Sequence, residues 1–142
     1  MAKDRKIELL KKVKLFTPCN DKELRRIAAL VDSIDVEEGK VLIKEGDAGH
    51  EFFVVAEGTA TATLRGKKLA DLGSGGFFGE MSLLDHGPRS ATVTAKSPMR
   101  LYVLDGRSFA RFLDEVPTVG RKIMRGLAER LRLAEDAPQY EP

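Results

Sequence analysis

Residues 75–93 read GGFFGEMSLLDHGPRSATV, and this stretch carries the densest chemical signal in the chain. Its pattern predicts a glycine-rich loop, a short turn of helix, a tight turn, and then Arg89 at the start of a strand. The amides of a first helical turn have no partners inside the helix, so they form an anion site. A guanidinium such as that of Arg89 grips two oxygens of one phosphate. The stretch therefore predicts a phosphate-binding segment.

Glu80 narrows the kind of ligand that this segment would take. A carboxylate repels a phosphate, so Glu80 does not suit a pure anion site. It accepts a hydrogen bond well from a ribose 2′-hydroxyl. One phosphate close to one free ribose hydroxyl describes a cyclic nucleotide.

The chain around this segment divides into helical ends and a strand-rich middle. Hydrophobic periodicity predicts helices over about 4–16 and 21–32, and again over about 105–116 and 118–135. Asn20 and Glu23 predict a capping box at the second helix. Glycines punctuate short runs in the middle, which predict strands over 40–44, 51–57, 59–65, 67–72, 89–96 and 99–104. This rhythm favours a barrel or jelly roll over βαβ units.

Composition excludes several classes of protein. The 142 residues suit one domain, and 42% hydrophobic with 32% charged residues is too apolar for a disordered chain. A net charge of +2 gives no argument for nucleic acid. The single cysteine, Cys19, excludes an internal disulfide framework and fits a reducing cytoplasm. No apolar run approaches the roughly 18 residues of a membrane span, and two histidines cannot supply a rich metal site.

The ordered run over 78–92 resembles the phosphate-binding cassette of the cyclic nucleotide-binding domain family. The shared pattern is Phe-Gly-Glu, an aliphatic residue, Ala or Ser, Leu-Leu, a turn, Pro-Arg, a small residue and Ala-Thr. The resemblance covers about residues 15 to 135. It implies a mainly β fold: an eight-stranded jelly-roll-like β-roll with N-terminal helices and C-terminal hinge and lid helices. We expect one domain over 1–142, with a helical N-terminus to 38, the β-roll over 39–104, and the hinge and lid helices over 105–136.

The resemblance implies a role for each cassette residue. Glu80 would bind the ribose 2′-hydroxyl, and Arg89 would bind the exocyclic phosphate oxygens. Backbone amides and one hydroxyl would complete the phosphate cradle, and these belong to Gly79, Met81, Ser82 and Ser90.

The C-terminal helices take their roles from the same resemblance. Leu83 would be the cassette's apolar contact to the hinge helix, at Phe109 or Phe112. The final helix would be a lid, and Arg130 is its candidate to lie against the base.

One position departs from the family pattern. Kinase-type members carry an acidic residue that supports the cassette arginine, and this chain has His50 there. Two alternatives follow: Glu51 substitutes for the missing acid, or Arg89 is less constrained without ligand.

These observations predict a non-enzymatic sensor that binds 3′,5′-cyclic AMP, and cyclic GMP more weakly. Neither Ser82 nor Ser90 lies in a strained Gly-x-Ser-x-Gly turn, so no catalytic residue is predicted, and no metal site is predicted either. We expect a stand-alone protein in the cytoplasm, a monomer or a lid-helix dimer. It would have an unidentified protein partner and no direct contact with DNA or membrane. Two alternatives stay open: an interaction domain that docks a partner through its basic terminal helices and ignores nucleotide, or a DNA-binding regulator cut before its reader domain.

Overall fold

The computed structural model describes residues 2–13, 16–79 and 87–136. It contains four α-helices in the four predicted places: α1 (Ala2–Lys11), α2 (Asp21–Ala28), α3 (Gly106–Glu115) and α4 (Pro117–Asp136). No helix in the described part of the chain is both long and apolar enough to cross a lipid bilayer.

Two helices end earlier than their periodicity predicts. α1 stops at Lys11 instead of residue 16, and tighter bonds follow it, from the amides of Lys12 and Val13 to carbonyls three residues back. This tightening turns the chain inward. Phe16 can then pack edge-on against Phe52, with ring centroids 6.0 Å apart. α2 stops at Ala28, because the chain leaves the helix to enter a strand at Asp32.

The strands form two antiparallel four-stranded sheets. Their order is β1-β8-β3-β6 in the first sheet and β2-β7-β4-β5 in the second. The bounds are β1 (Asp32–Val36), β2 (Val41–Ile43), β3 (Glu51–Glu57), β4 (Ala60–Leu64), β5 (Lys67–Leu72), β6 (Phe77–Phe78), β7 (Thr92–Ala95) and β8 (Met99–Asp105). This confirms the predicted mainly β fold of about eight strands with flanking helices.

The sequence pattern does not predict β1 or β6. β1 reads DSIDV, and four of its five residues are exposed, so its burial does not alternate. It becomes a strand by pairing its backbone with β8. β6 has only two residues, which pair with Phe53 and Val54 of β3. The roll therefore begins at β1, before the predicted boundary at Gly39.

Local signals at the helix ends are confirmed. The Asn20 side chain accepts from the Glu23 amide at 2.9 Å, and the Glu23 carboxylate accepts from the Asn20 amide at 2.8 Å. Asp105 caps α3 by accepting from the Ser108 amide. Pro117 is the first residue of α4, where its missing N–H leaves no hydrogen bond unmade.

The core has two layers, which the first sheet separates. Alternate residues of β3 face opposite sides: Phe52 and Val54 pack against the helices, and Phe53 and Val55 face the interior of the roll. This explains why five consecutive residues of β3 are buried. Burying one such side chain contributes about 1.5–3 kcal/mol to the free energy of folding.

The start of α4 is fixed to the N-terminal helices. Val119 and Ile123 are buried in the helical layer. Between them, Lys122 Nζ lies 2.6 Å from Glu23 Oε1 of α2, and both side chains are largely buried. The Arg26 guanidinium of α2 lies 5.6 Å from the centre of the Phe112 ring of α3. The two ends of the chain thus form one helical layer on the first sheet.

Candidate functional site

A pocket of about 370 Å³ lies against the second sheet, and its lining has a polar part, the polar end, and an apolar part, the apolar wall. Gly79, Gly87, Arg89 and Ser90 supply the polar end. The apolar wall is built from β2, β4, β5 and β7, and it includes Ile43, Ala62, Leu69, Leu72 and Val93. A pocket of this kind suits a ligand with a charged group and an apolar ring.

Arg89 is the only charged residue among the buried side chains described, with 7% of its surface exposed. Two glycines make room for it. A Cβ at Gly49 would overlap the Nε and Cζ atoms of Arg89, and a Cβ at Gly79 would lie 2.7 Å from its Nη1. Gly79 also has φ +81°, a conformation that other residues rarely adopt. The guanidinium therefore occupies a space that exists only because both positions lack a side chain.

The backbone of Arg89 is held by the turn that follows β2. Its N–H donates to the Asp47 carbonyl at 2.8 Å, and its carbonyl accepts from the Gly46 N–H at 2.9 Å. The neighbouring residues Ala48 and Pro88 form an isolated β-bridge. This pairing fixes where the arginine enters the pocket.

The electrostatics of Arg89 reflect burial opposed by one carboxylate. Burial lowers the pKa of Arg89, and the negative charge of Glu51 acts in the opposite direction. Because a guanidinium stays protonated in proteins, the pocket contains a largely desolvated positive charge. Such a charge attracts an anion more strongly than an exposed one does. Among the described residues, Glu51 is the carboxylate whose charge acts on Arg89. Whether it replaces the missing acid at His50 stays a prediction. The His50 carbonyl accepts from the Gly106 amide at the start of α3.

Comparison with known proteins decides the family. The chain matches the family described as "Cyclic nucleotide-binding domain" over residues 33–116. This chain is a cyclic nucleotide-binding domain. It is 38% identical over 109 residues to a cAMP-dependent protein kinase regulatory subunit of Yarrowia lipolytica, an alignment that covers 75% of this chain and 29% of that protein. The chain thus spans under a third of the length of this curated relative.

Two solved structures resemble the domain in fold. One is the N-terminal domain of a transcriptional regulator from Streptomyces coelicolor, with a TM-score of 0.83 and 31% identity, covering 93% of this chain and 96% of that chain. The other is the regulatory domain of Toxoplasma gondii PKA in complex with cAMP, with a TM-score of 0.71 and 29% identity, covering 78% of this chain and 44% of that chain.

Three of the predicted site residues come together in this domain. Gly79, Arg89 and Ser90 all line the polar end of the pocket. Glu80, Met81 and Ser82, together with Leu83, lie in the segment 80–86, outside the described residues. Arg130 belongs to α4, but its side chain is also outside the described part. Among the residues that the structure describes, none from α4 lines the pocket.

The apolar wall was not predicted from the sequence as part of the site. Its most exposed member, Leu69, is 57% exposed and lies in an irregularity of the β4–β5 pairing. Ala62 pairs with Ala70 and Thr63 pairs with Lys68, so Leu69 is an extra residue, as in a β-bulge. The bulge lets the adjacent residues Leu69 and Ala70 both line the pocket. In the sequence, its trace is the pair Leu69-Ala70, which breaks the alternation of β5.

Proposed function

We propose that this domain binds 3′,5′-cyclic AMP in the pocket, binds cyclic GMP more weakly, and acts as a non-enzymatic regulatory sensor. The observation that carries the proposal is a buried arginine at one end of a pocket with an apolar wall at the other. A cyclic nucleotide offers a single negative charge and a flat purine ring, which match these two ends. The regulatory domain of Toxoplasma gondii PKA, a structural relative, is described in complex with cAMP.

The phosphate belongs at the polar end. Arg89 donates to the exocyclic oxygens, and the amides around Gly79, Met81 and Ser82 complete the cradle with Ser90. Glu80 accepts from the ribose 2′-hydroxyl. Since all donors converge on one small anion, a ligand without the cyclic phosphate would lose most of this binding.

The base belongs at the apolar wall, where Leu69 and Leu72 cover it. Ser90 follows Arg89 directly, and its hydroxyl can accept from the 2-amino group of guanine or turn toward the phosphate. Serine lacks the methyl group that limits the rotamers of threonine, so it turns freely. One neutral hydrogen bond contributes about 0.5–1.5 kcal/mol, so we expect cyclic GMP to bind weakly without being excluded.

The signal belongs to α4. Ligand in the pocket would draw the later part of α4 over the base, with Arg130 against the ring and Leu83 against Phe109 or Phe112. The ligand can shift this helix only as far as it binds the closed state more tightly than the open one. The start of α4 stays anchored by Val119 and Ile123, so the movement concerns the residues that follow.

Isothermal titration with cyclic AMP, cyclic GMP and linear 5′-AMP tests the proposal. We expect the affinity to fall in the order cyclic AMP, cyclic GMP, 5′-AMP. A ligand present at 100 times its dissociation constant should add about 2.7 kcal/mol to the free energy of unfolding. A folded protein that binds none of the three at millimolar concentration would overturn the proposal and favour the interaction-domain alternative.

A further inference from the structure

The side chain of Glu45, at the end of β2, connects three segments that are distant in sequence. Its carboxylate accepts from the Arg65 amide through both oxygens, at 3.2 and 3.1 Å. It also accepts from the Thr92 hydroxyl at 3.0 Å. In return, the Thr92 hydroxyl oxygen accepts from the Glu45 amide at 3.0 Å. A half-buried carboxylate that makes this many bonds is a structural junction.

One of these segments carries the apolar wall of the pocket. Arg65 is in the turn between β4 and β5, with φ +52°, and it is the only non-glycine residue with positive φ in the described chain. Because this conformation costs energy, the bonds from its amide to Glu45 help to hold the turn. The hairpin that the turn closes supplies Ala62, Leu69 and Leu72 to the pocket.

The other segments carry the polar end. Thr92 begins β7, and the three residues before it, Arg89, Ser90 and Ala91, all line the pocket. Gly46, the residue after Glu45, donates its N–H to the Arg89 carbonyl at 2.9 Å. Glu45 is therefore bonded to the β4–β5 hairpin through Arg65, and to the segment that carries Arg89 through Thr92 and through its own neighbour Gly46.

We propose that Glu45 is a positioning residue that sets the gap between Arg89 and the apolar wall of β4–β5. This inference rests on the proposed function, since it assigns the gap to a ligand that spans both ends. Glu45 does not line the pocket. Its effect must therefore depend on ligand length. A ligand that reaches both walls needs the gap, and a ligand that uses only the polar end does not.

The test compares Glu45→Ala and Glu45→Gln with Asp71→Ala. Asp71 is a matched control, because its carboxylate lies on the same hairpin, accepts from the Thr61 hydroxyl, and pairs with Lys68 and with Lys96 beyond the far end of β7. The probes are cyclic AMP and base-free ribose 3′,5′-cyclic phosphate. We expect Glu45→Ala to weaken cyclic AMP by about ten- to a hundredfold and the base-free probe by less than about threefold.

The conservative variant and the control sharpen the result. Glutamine keeps one acceptor oxygen, so Glu45→Gln should recover most of the lost cyclic AMP affinity. Asp71→Ala should leave the ratio of the two affinities unchanged. If Glu45→Ala leaves the ratio of the two affinities unchanged, whether both fall equally or neither falls, the inference is overturned. If Glu45→Ala does not fold, Thr92→Val removes the hydroxyl link with little change of shape, and the same ratio is measured.

Amide hydrogen exchange without nucleotide separates this inference from the proposed function. If Glu45 joins the two walls, Glu45→Ala accelerates exchange at both the Arg65 and Arg89 amides, and Asp71→Ala accelerates neither. Unchanged exchange at Arg89 would contradict the junction. If the wild-type protein binds no nucleotide, the proposed function is wrong. The amide exchange rates at Arg65 and Arg89 would still test whether Glu45 joins the two segments.

Discussion

At the scale of single residues, Arg89 combines burial with a full positive charge. A buried guanidinium is costly unless an anion or a network of hydrogen bonds compensates for it. Glu51 supplies part of the compensation, since its charge acts on Arg89 in opposition to burial. A bound phosphate would supply more, which is why the affinity for ligand should depend on this one side chain.

We therefore expect Arg89→Ala to lose nearly all binding of cyclic AMP. Removing one partner of a desolvated charge pair costs about 3–5 kcal/mol, roughly a hundred- to several-thousandfold in affinity. Arg100→Ala is the control, because Arg100 of β8 forms an exposed pair with Asp35 of the edge strand β1, away from the pocket residues. Titration of both variants checks this, and affinity within threefold of wild type in folded Arg89→Ala would refute the role.

Gly49 provides a second test at this scale, one that keeps every ligand-binding side chain but displaces that of Arg89. In Gly49→Ala the new methyl group would overlap the far end of the Arg89 side chain, which can move. We expect affinity for cyclic AMP to fall by more than about tenfold, with only a small loss of stability.

Gly73→Ala is the matched control for Gly49→Ala. A Cβ there meets no atom within 4 Å, and its φ is not positive. Calorimetry for binding and thermal melting for stability separate the two effects. If Gly49→Ala binds as wild type does, Arg89 does not need its present position.

At the scale of elements, the contact between α2 and α4 includes one largely buried ion pair, between Lys122 and Glu23. Desolvation raises the pKa of Glu23, but hydrogen bonds from Lys122 and from the Asn20 amide outweigh it, so the pKa of Glu23 is lowered overall. A carboxyl whose pKa is lowered by folding stabilises the native state above its ordinary pKa. This stabilisation is lost as the pH falls through the lowered value.

Lys122→Met keeps most of the side-chain stem and removes the charge. We expect it to lower the free energy of unfolding by about 1–2 kcal/mol at pH 7. The difference in the free energy of unfolding between this variant and wild type should stay constant above about pH 5 and shrink as Glu23 becomes protonated. Denaturant unfolding at several pH values measures it.

Lys11→Met is the comparison for this pair, since Lys11 and Asp21 form an exposed pair and should contribute little. A difference in the free energy of unfolding between Lys122→Met and wild type that persists unchanged after Glu23 is protonated would show that packing of the stem, and not the charge, joins the helices.

At the scale of the whole molecule, the first sheet serves two layers at once. Its outer face holds the helices, and its inner face closes the roll that contains the pocket. Cys19 belongs to the helical side, where burial and the nearby Glu23 charge raise the pKa of its thiol to about 11. A thiol in this state is a packing group, because little thiolate exists at neutral pH.

The sequence by itself determined the features that depend on neighbours along the chain. The Asn20–Glu23 capping box, the Asp105 cap and the apolar run of β3 all depend on contiguous residues, so periodicity and local chemistry predict them. Only the tertiary structure decided the features that need distant partners. β1 is a strand because β8 lies beside it, Leu69 reaches the pocket because the β4–β5 pairing slips, and Gly49 matters because Arg89 occupies the space above it. Backbone pairing and close approach leave no local pattern, since the partner that creates them lies elsewhere in the chain.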